Sequence, residues 1–291
     1  TSYYVRRWGL CISDRQKLSL RRDKKYKVNI DTEIYDGALR YGDCTLKGES
    51  DKTILISTYL CHPSLANNEL SGPLAFVSLY QKLSKLKRRH FTYRFLIIPE
   101  TIGSITFLAR TPENELQKIY AGIVLTCLGG PSKKISFKHS RRHWLGEESD
   151  IDIFLESLCS HDNKAFNNRA FSPHGGSDER QFCSPGINLP VIQAARTVYS
   201  DYDQYHSSLD NKEFMDINSV MDSIQKIYFF LRAFEINTSN LIPEISGGEP
   251  MLGKRGLKPN INSHQTWDLS SDITEHSREK LNLMLNIISL V

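Results

Sequence analysis

At 291 residues, the chain has room for one large domain with an appendage or for two modest ones. Hydrophobic residues make up 40% and charged residues 24%, an ordinary globular balance, and a net charge of +4 is too small over this length to argue for nucleic acid. No apolar run reaches the roughly 18 to 20 residues that a membrane span needs, and no signal-peptide pattern opens the chain, so no membrane partner is expected.

The basic clusters, Arg21 to Lys25, Lys85 to Arg89 and Arg141-Arg142, lack interleaved aromatics and read as solvated faces. Six scattered cysteines without a CxxC pair predict buried free thiols and a cytoplasmic location. The chain opens on Thr1 and stops at Val291 inside an apolar periodic run, so it reads as a piece of something longer.

In chain order, residues 1–50 read as β-rich: "YKVNIDTEI" (26–34) alternates, and glycines punctuate 35–50. "TILISTYL" (53–60) is a continuous apolar run, as in a strand covered on both faces. Helical spacing follows over 71–87, with Ser71 as N-cap and a proline in the first turn. A strand over 93–101 and a short helix over 103–111 come next, then a core strand over 118–130 and an edge strand over 133–140. An amphipathic helix over 150–163, a strand over 188–196 and a long helix over 212–237 complete the alternation. Such alternation predicts an α/β fold with helices on both faces of the sheet. Residues 241–263 are rich in Gly and Pro and read as an arm, and 277–291 as an apolar helix.

In sheets of this kind, functional groups gather at the carboxyl ends of central strands. His62 follows one strand, Glu100 ends the next, Cys127 ends the third, and His206 lies in the loop after the last; "HGGSDERQF" (174–182) puts Asp178 near a helix start. Taken singly, each has a bland reading. His62 and His206 can be loop histidines, while Glu100 and Asp178 are at home at helix starts. Together they supply the histidines and carboxylates of a hydrolytic zinc site, where the metal acidifies a water and a carboxylate takes its proton.

The ordered phrases "RRWGLC" (6–11), "CHPSLANNELSGP" (61–73), "IPETIGSI" (98–105), "GSDERQFCSPG" (176–186), "YHSSLDN" (205–211) and "EPMLGKRGL" (249–257) resemble the co-catalytic zinc aminopeptidase-like family. The closer resemblance is to a bacterial branch often associated with surface-polysaccharide genes. It implies a mixed, mostly parallel sheet with helices on both faces and a small β-rich N-terminal portion. It also implies a division into 1–50, the remnant of an inserted β-domain and the return to the peptidase sheet; 51–240, the aminopeptidase-like domain; and 241–291, an arm and the first helix of a winged-helix region.

Residue by residue, the resemblance makes His62 and His206 metal ligands. It places Asn68 where the bridging aspartate belongs, with Glu69 beside it as a substitute. The family's Glu-Glu pair becomes Pro99-Glu100, leaving Glu100 as base or ligand, and the later aspartate falls at Thr126-Cys127, where a thiolate can ligate. Asp178 matches an acidic residue beside the substrate. This donor set suffices for one zinc and not for two. The expected activity is hydrolysis of an N-terminal residue or small amide in a peptide-like substrate. The competing expectation is a degenerate fold kept as a binding or regulatory module linked to polysaccharide biosynthesis. Oligomeric state is not legible in the sequence.

Overall fold

The structure is a computed structural model and describes residues 6, 9–147, 149–199 and 201–238. The expected arm, the apolar helix over 277–291 and the "EPMLGKRGL" phrase lie outside the described residues.

Contacts divide the chain into two units, Thr1–Ala38 and Leu39–Val291. The described part of the first unit holds one helix, α1 (Asp14–Ser19). Its capping box joins Ser13 and Gln16 reciprocally, which satisfies two of the otherwise orphaned N-terminal donors. The alternating stretch 26–34 forms no strand, and every described residue up to 44 is exposed. Alternation signals a strand only where one face has a surface to bury against, and nothing buries this one.

The second unit carries β1 (Gly42–Leu46), β2 (Thr53–Tyr59), α2 (Ser71–Ser84), β3 (Thr92–Ile98), α3 (Ile102–Arg110), α4 (Glu113–Leu116) and β4 (Ile119–Leu125). There follow β5 (Ile135–Lys138), α5 (Arg141–Trp144), α6 (Asp150–His161), β6 (Phe166–Arg169), α7 (Glu179–Phe182), β7 (Val191–Ala195) and α8 (Ile217–Thr238). The seven strands form one sheet in the order β1-β3-β2-β4-β7-β5-β6. Strands β2, β3, β4 and β7 run parallel, as do β5 and β6; β1 on β3 and β5 on β7 are antiparallel. The mixed, mostly parallel α/β fold expected from the sequence is present.

Strand β2 is buried along its whole length. Its Ile54 and Ile56 point into the core shared with α2, α6 and α8, while Leu55 points into the core shared with α3 and α7. Each such aliphatic side chain, fully removed from water, stabilises by about 1.5–3 kcal/mol. Helix α2 buries Ala75, Phe76, Leu79 and Leu83 along one stripe.

Two local expectations are corrected. Ser71 is not the N-cap of α2; a single π-turn over Ala66–Leu70 precedes the helix, and the Ser71 hydroxyl donates back to the Asn67 carbonyl. The strand over 133–140 is not an edge, because β5 lies between β7 and the unforeseen β6. Among the described residues, no helix is long and apolar enough to cross a membrane.

Candidate functional site

Because β2, β3, β4 and β7 are parallel, their carboxyl ends open on one edge. The chain leaves β2 through His62, β3 through Glu100 and β4 through Cys127, and β7 is followed by the loop holding His206. Backbone strain collects here: Ser64, Thr101, Cys127 and His206 all have positive φ, between 50° and 68°. For residues with a Cβ this costs on the order of 1–3 kcal/mol each and persists where the surrounding contacts over-determine it.

His62 is the centre of the group. Its Nδ1 lies 3.4 Å from Glu69 Oε2 and its Nε2 3.5 Å from Glu100 Oε2, so two carboxylates flank opposite sides of the ring. The Cys61 sulfur, 3.2 Å from Nδ1, together with Glu69 and Glu100, pushes the imidazole up to about 10. Glu69 is buried and also accepts the His62 backbone N–H at 2.8 Å. The His206 ring centroid lies 5.4 Å from that of His62, and burial followed by the His62 charge lowers its basicity. Tyr205 stacks on His206 with ring centroids 3.9 Å apart.

Glu100 accepts from the Ser177 hydroxyl at 2.6 Å, and its own N–H donates to Cys61 Sγ. Next to Ser177, Asp178 is fully buried. Its Oδ1 accepts from Thr101 N (2.8 Å) and Ser104 Oγ (2.7 Å), while its Oδ2 has no partner. Desolvation pushes this carboxyl up to about 7, against the two hydrogen bonds that favour the ionised form.

Asn68, where a bridging carboxylate was expected, sits in a neutral buried network. Its amide donates to Tyr59 OH at 2.9 Å and to Cys127 Sγ at 3.5 Å, and Tyr59 OH is 2.6 Å from Thr126 Oγ1. Burial raises the Cys127 thiol, against its contacts with Thr126, Tyr202 and Asn68. The Asn68 carbonyl oxygen is buried without a partner.

The structure thus brings His62, Glu69, Glu100 and His206 to one edge, with Asp178 behind Glu100 and Asn68 beneath. A zinc needs donors about 2 Å from a common point. No three of His62, Glu69, Glu100 and His206 bring a donor atom each within 4.8 Å of one another, because the two carboxylates take opposite nitrogens of His62. In this conformation the set does not close around an ion.

Sequence reasoning missed Asp210, which is fully buried. Its carboxylate accepts from Asn67 N (2.6 Å) and Asn68 N (2.9 Å), and its carbonyl from Ala66 N. It therefore ties the His206 loop to the π-turn that holds Asn68 and Glu69. The signal was present in "YHSSLDN", four residues after His206. A cavity of about 520 Å³ lies elsewhere, against Thr53, Thr92 and Ile119 at the amino ends of β2, β3 and β4.

A family model described as "Domain of unknown function (DUF4910)" matches residues 11–237. A Clostridium acetobutylicum protein, whose name refers to polysaccharide biosynthesis and an aminopeptidase-like domain, is 40% identical over 259 residues. That match covers 88% of this chain and 57% of the relative, so the chain spans a little over half the length of the curated protein it matches. A crystal structure from the same organism, whose description suggests a peptidase, superposes with a TM-score of 0.71 at 40% identity, covering 88% of this chain and 58% of that one. A zinc aminopeptidase from Bacillus subtilis superposes at 0.53 with 13% identity, over 69% of this chain and 51% of its own, which shows a shared fold.

Proposed function

This chain belongs to the DUF4910 family and has a zinc aminopeptidase-like fold, and from that premise we propose that it is a binding module for the amino end of a small peptide, amide or amino sugar, serving polysaccharide biosynthesis. The observation that carries this reading is a surplus of buried acceptors. Asn68 Oδ1 has no donor, Asp178 Oδ2 is unpartnered and becomes an acceptor once that carboxyl ionises near 7, and Glu69 and Glu100 bring two carboxylates to the same edge. Buried acceptors without donors are rare and favour a ligand that brings N–H groups; an ammonium brings three. The exchange of a bridging carboxylate for the Asn68 amide supports binding over two-metal catalysis. The six unpaired cysteines suit a reducing cytoplasm.

One observation favours a second reading, a one-zinc hydrolase of an N-terminal residue or small amide. His62, Glu69, Glu100 and His206 converge on strained backbone that a bare scaffold has no reason to hold. In that reading His62, Asn68, Glu69 and His206 would hold the ion, Glu100 would be the base and Asp178 would orient the substrate. His62 would first have to turn away from one of its two carboxylates.

Calorimetric titration with an amino-acid amide and with glucosamine, beside an assay for ammonia release, separates the two. Binding without turnover, weakened about tenfold or more by Glu100→Gln, is expected. Turnover that needs zinc and is lost in a His62→Ala, His206→Ala variant would overturn the module in favour of the hydrolase. Neither binding nor turnover would sink both.

A further inference from the structure

A second group of ligating side chains lies where β5 ends and α5 and α6 follow. Among the described residues, His139, His143 and Glu156 are the one set of three His, Cys, Asp or Glu side chains that brings a donor atom each within 4.8 Å of one another. We propose that they form a binding site for a divalent transition-metal ion, zinc being the ion that suits two imidazoles and a carboxylate. The inference stands independently of the reading of the His62 site. The two sites lie at opposite edges: β5 is antiparallel to β7, so His139 emerges beside the amino end of β7.

The anchor is His139, which is buried. Its Nδ1 lies 3.0 Å from Asp152 Oδ1. Asp152 is itself fixed by Ser140 N and by the Ser140 and Ser149 hydroxyls, and these contacts with His139 hold its carboxyl below the ordinary value despite burial. A carboxylate on Nδ1 is the arrangement that sets the tautomer of a metal-binding histidine: the N–H is engaged, and the Nε2 lone pair points away for a ligand. The bland alternative is a satisfied core histidine, and it needs a firm donor to Nε2. The available one is the exposed Asn168 amide at 3.3 Å, a long contact that an ion can displace.

His143 and Glu156 complete the set from α5 and α6. His143 Nε2 lies 2.8 Å from Glu156 Oε1, and their side chains are 38% and 53% exposed, which leaves an ion free to enter from solvent. The two imidazoles stack at 3.8 Å with planes 16° apart. An ion lying in both ring planes requires His143 to swing out of the stack, and its exposed position permits the rotation. Two nitrogens, one carboxylate oxygen and open positions for water are ordinary zinc coordination. Loading would pin α5 to α6 through the end of β5.

The test uses the chelator-stripped 291-residue chain titrated with zinc alone by calorimetry, beside thermal unfolding with and without zinc. His143→Ala and Glu156→Gln change exposed side chains and leave the buried His139–Asp152 pair intact. The wild type is expected to bind one equivalent here and to gain thermal stability. His143→Ala is expected to weaken that binding about tenfold or more, while the His62→Ala, His206→Ala variant keeps it. Zinc affinity unchanged in both single variants would overturn the proposal. So would wild type that binds no zinc, or binding lost only in the His62, His206 variant, which would return the ion to the other edge.

Discussion

Asp178 shows how position overrides residue type. In the unfolded chain its carboxyl ionises near its ordinary 3.8, and in the folded chain near 7, because burial outweighs the Ser104 and Thr101 hydrogen bonds. Between those values the native state holds a proton that the unfolded state has released. This contribution to stability is therefore complete below about pH 4 and is lost as pH rises through 7, on the order of 4 kcal/mol over the window. Asp178→Asn keeps the acceptor for Thr101 and Ser104 and removes the titration. Urea unfolding at pH 4.5 and 7 is expected to show the variant gaining stability relative to wild type at the higher pH; parallel profiles would rule the assignment out. The sequence placed Asp178 at a helix start, which is correct, since it precedes α7. It did not reveal that the side chain turns away from its own helix to serve α3. That depends on α3 and α7 packing together across one face of the sheet.

The segment from Ser172 to α7 carries Ser177 and Asp178, and a buried ion pair holds it. Lys138 Nζ on β5 lies 2.7 Å from Glu179 Oε1 and donates to the Gly175 carbonyl, while Glu179 accepts from Ser177 N and from Gln193 Nε2 on β7. Gly176 has a φ of 145°, and a Cβ there would overlap the Glu179 carboxylate and the Lys138 ammonium. Removing one member of such a pair leaves a bare buried charge, a loss of about 3–5 kcal/mol. Lys138→Met is expected to lose that much in urea unfolding, and Lys138→Met with Glu179→Gln to recover a good part of it. An additive double variant would show that the pair is not coupled. None of this was visible in "KKISFKHS", which reads as an edge strand. The antiparallel insertion of β5 between β7 and β6 puts Lys138 in the interior.

Among the described residues, burial is confined to the second unit. The described residues of the first unit have no buried side chain, and α1 has its cap but no apolar face removed from water. Hydrogen exchange by mass spectrometry is expected to find amides over 20–41 exchanging within seconds and those of β2 and β4 protected for hours; protection over 26–34 would restore the strand expected there. What the sequence determined by itself is the chain-ordered alternation of strand and helix from 51 onward and the arrival of His62, Glu100 and His206 at one sheet edge. Both follow from local periodicity and from the rule that parallel strands end on the same side. What tertiary structure alone decided is which of those groups face one another. His62 meets Glu69 and Glu100 with different nitrogens, Asn68 gives its amide to Tyr59 and Cys127, and Asp210 reaches across 142 residues to hold Asn68. Those pairings are set by the order of strands and the angle of loops, which nearest-neighbour sequence does not encode, and they decide the chemistry open to the site.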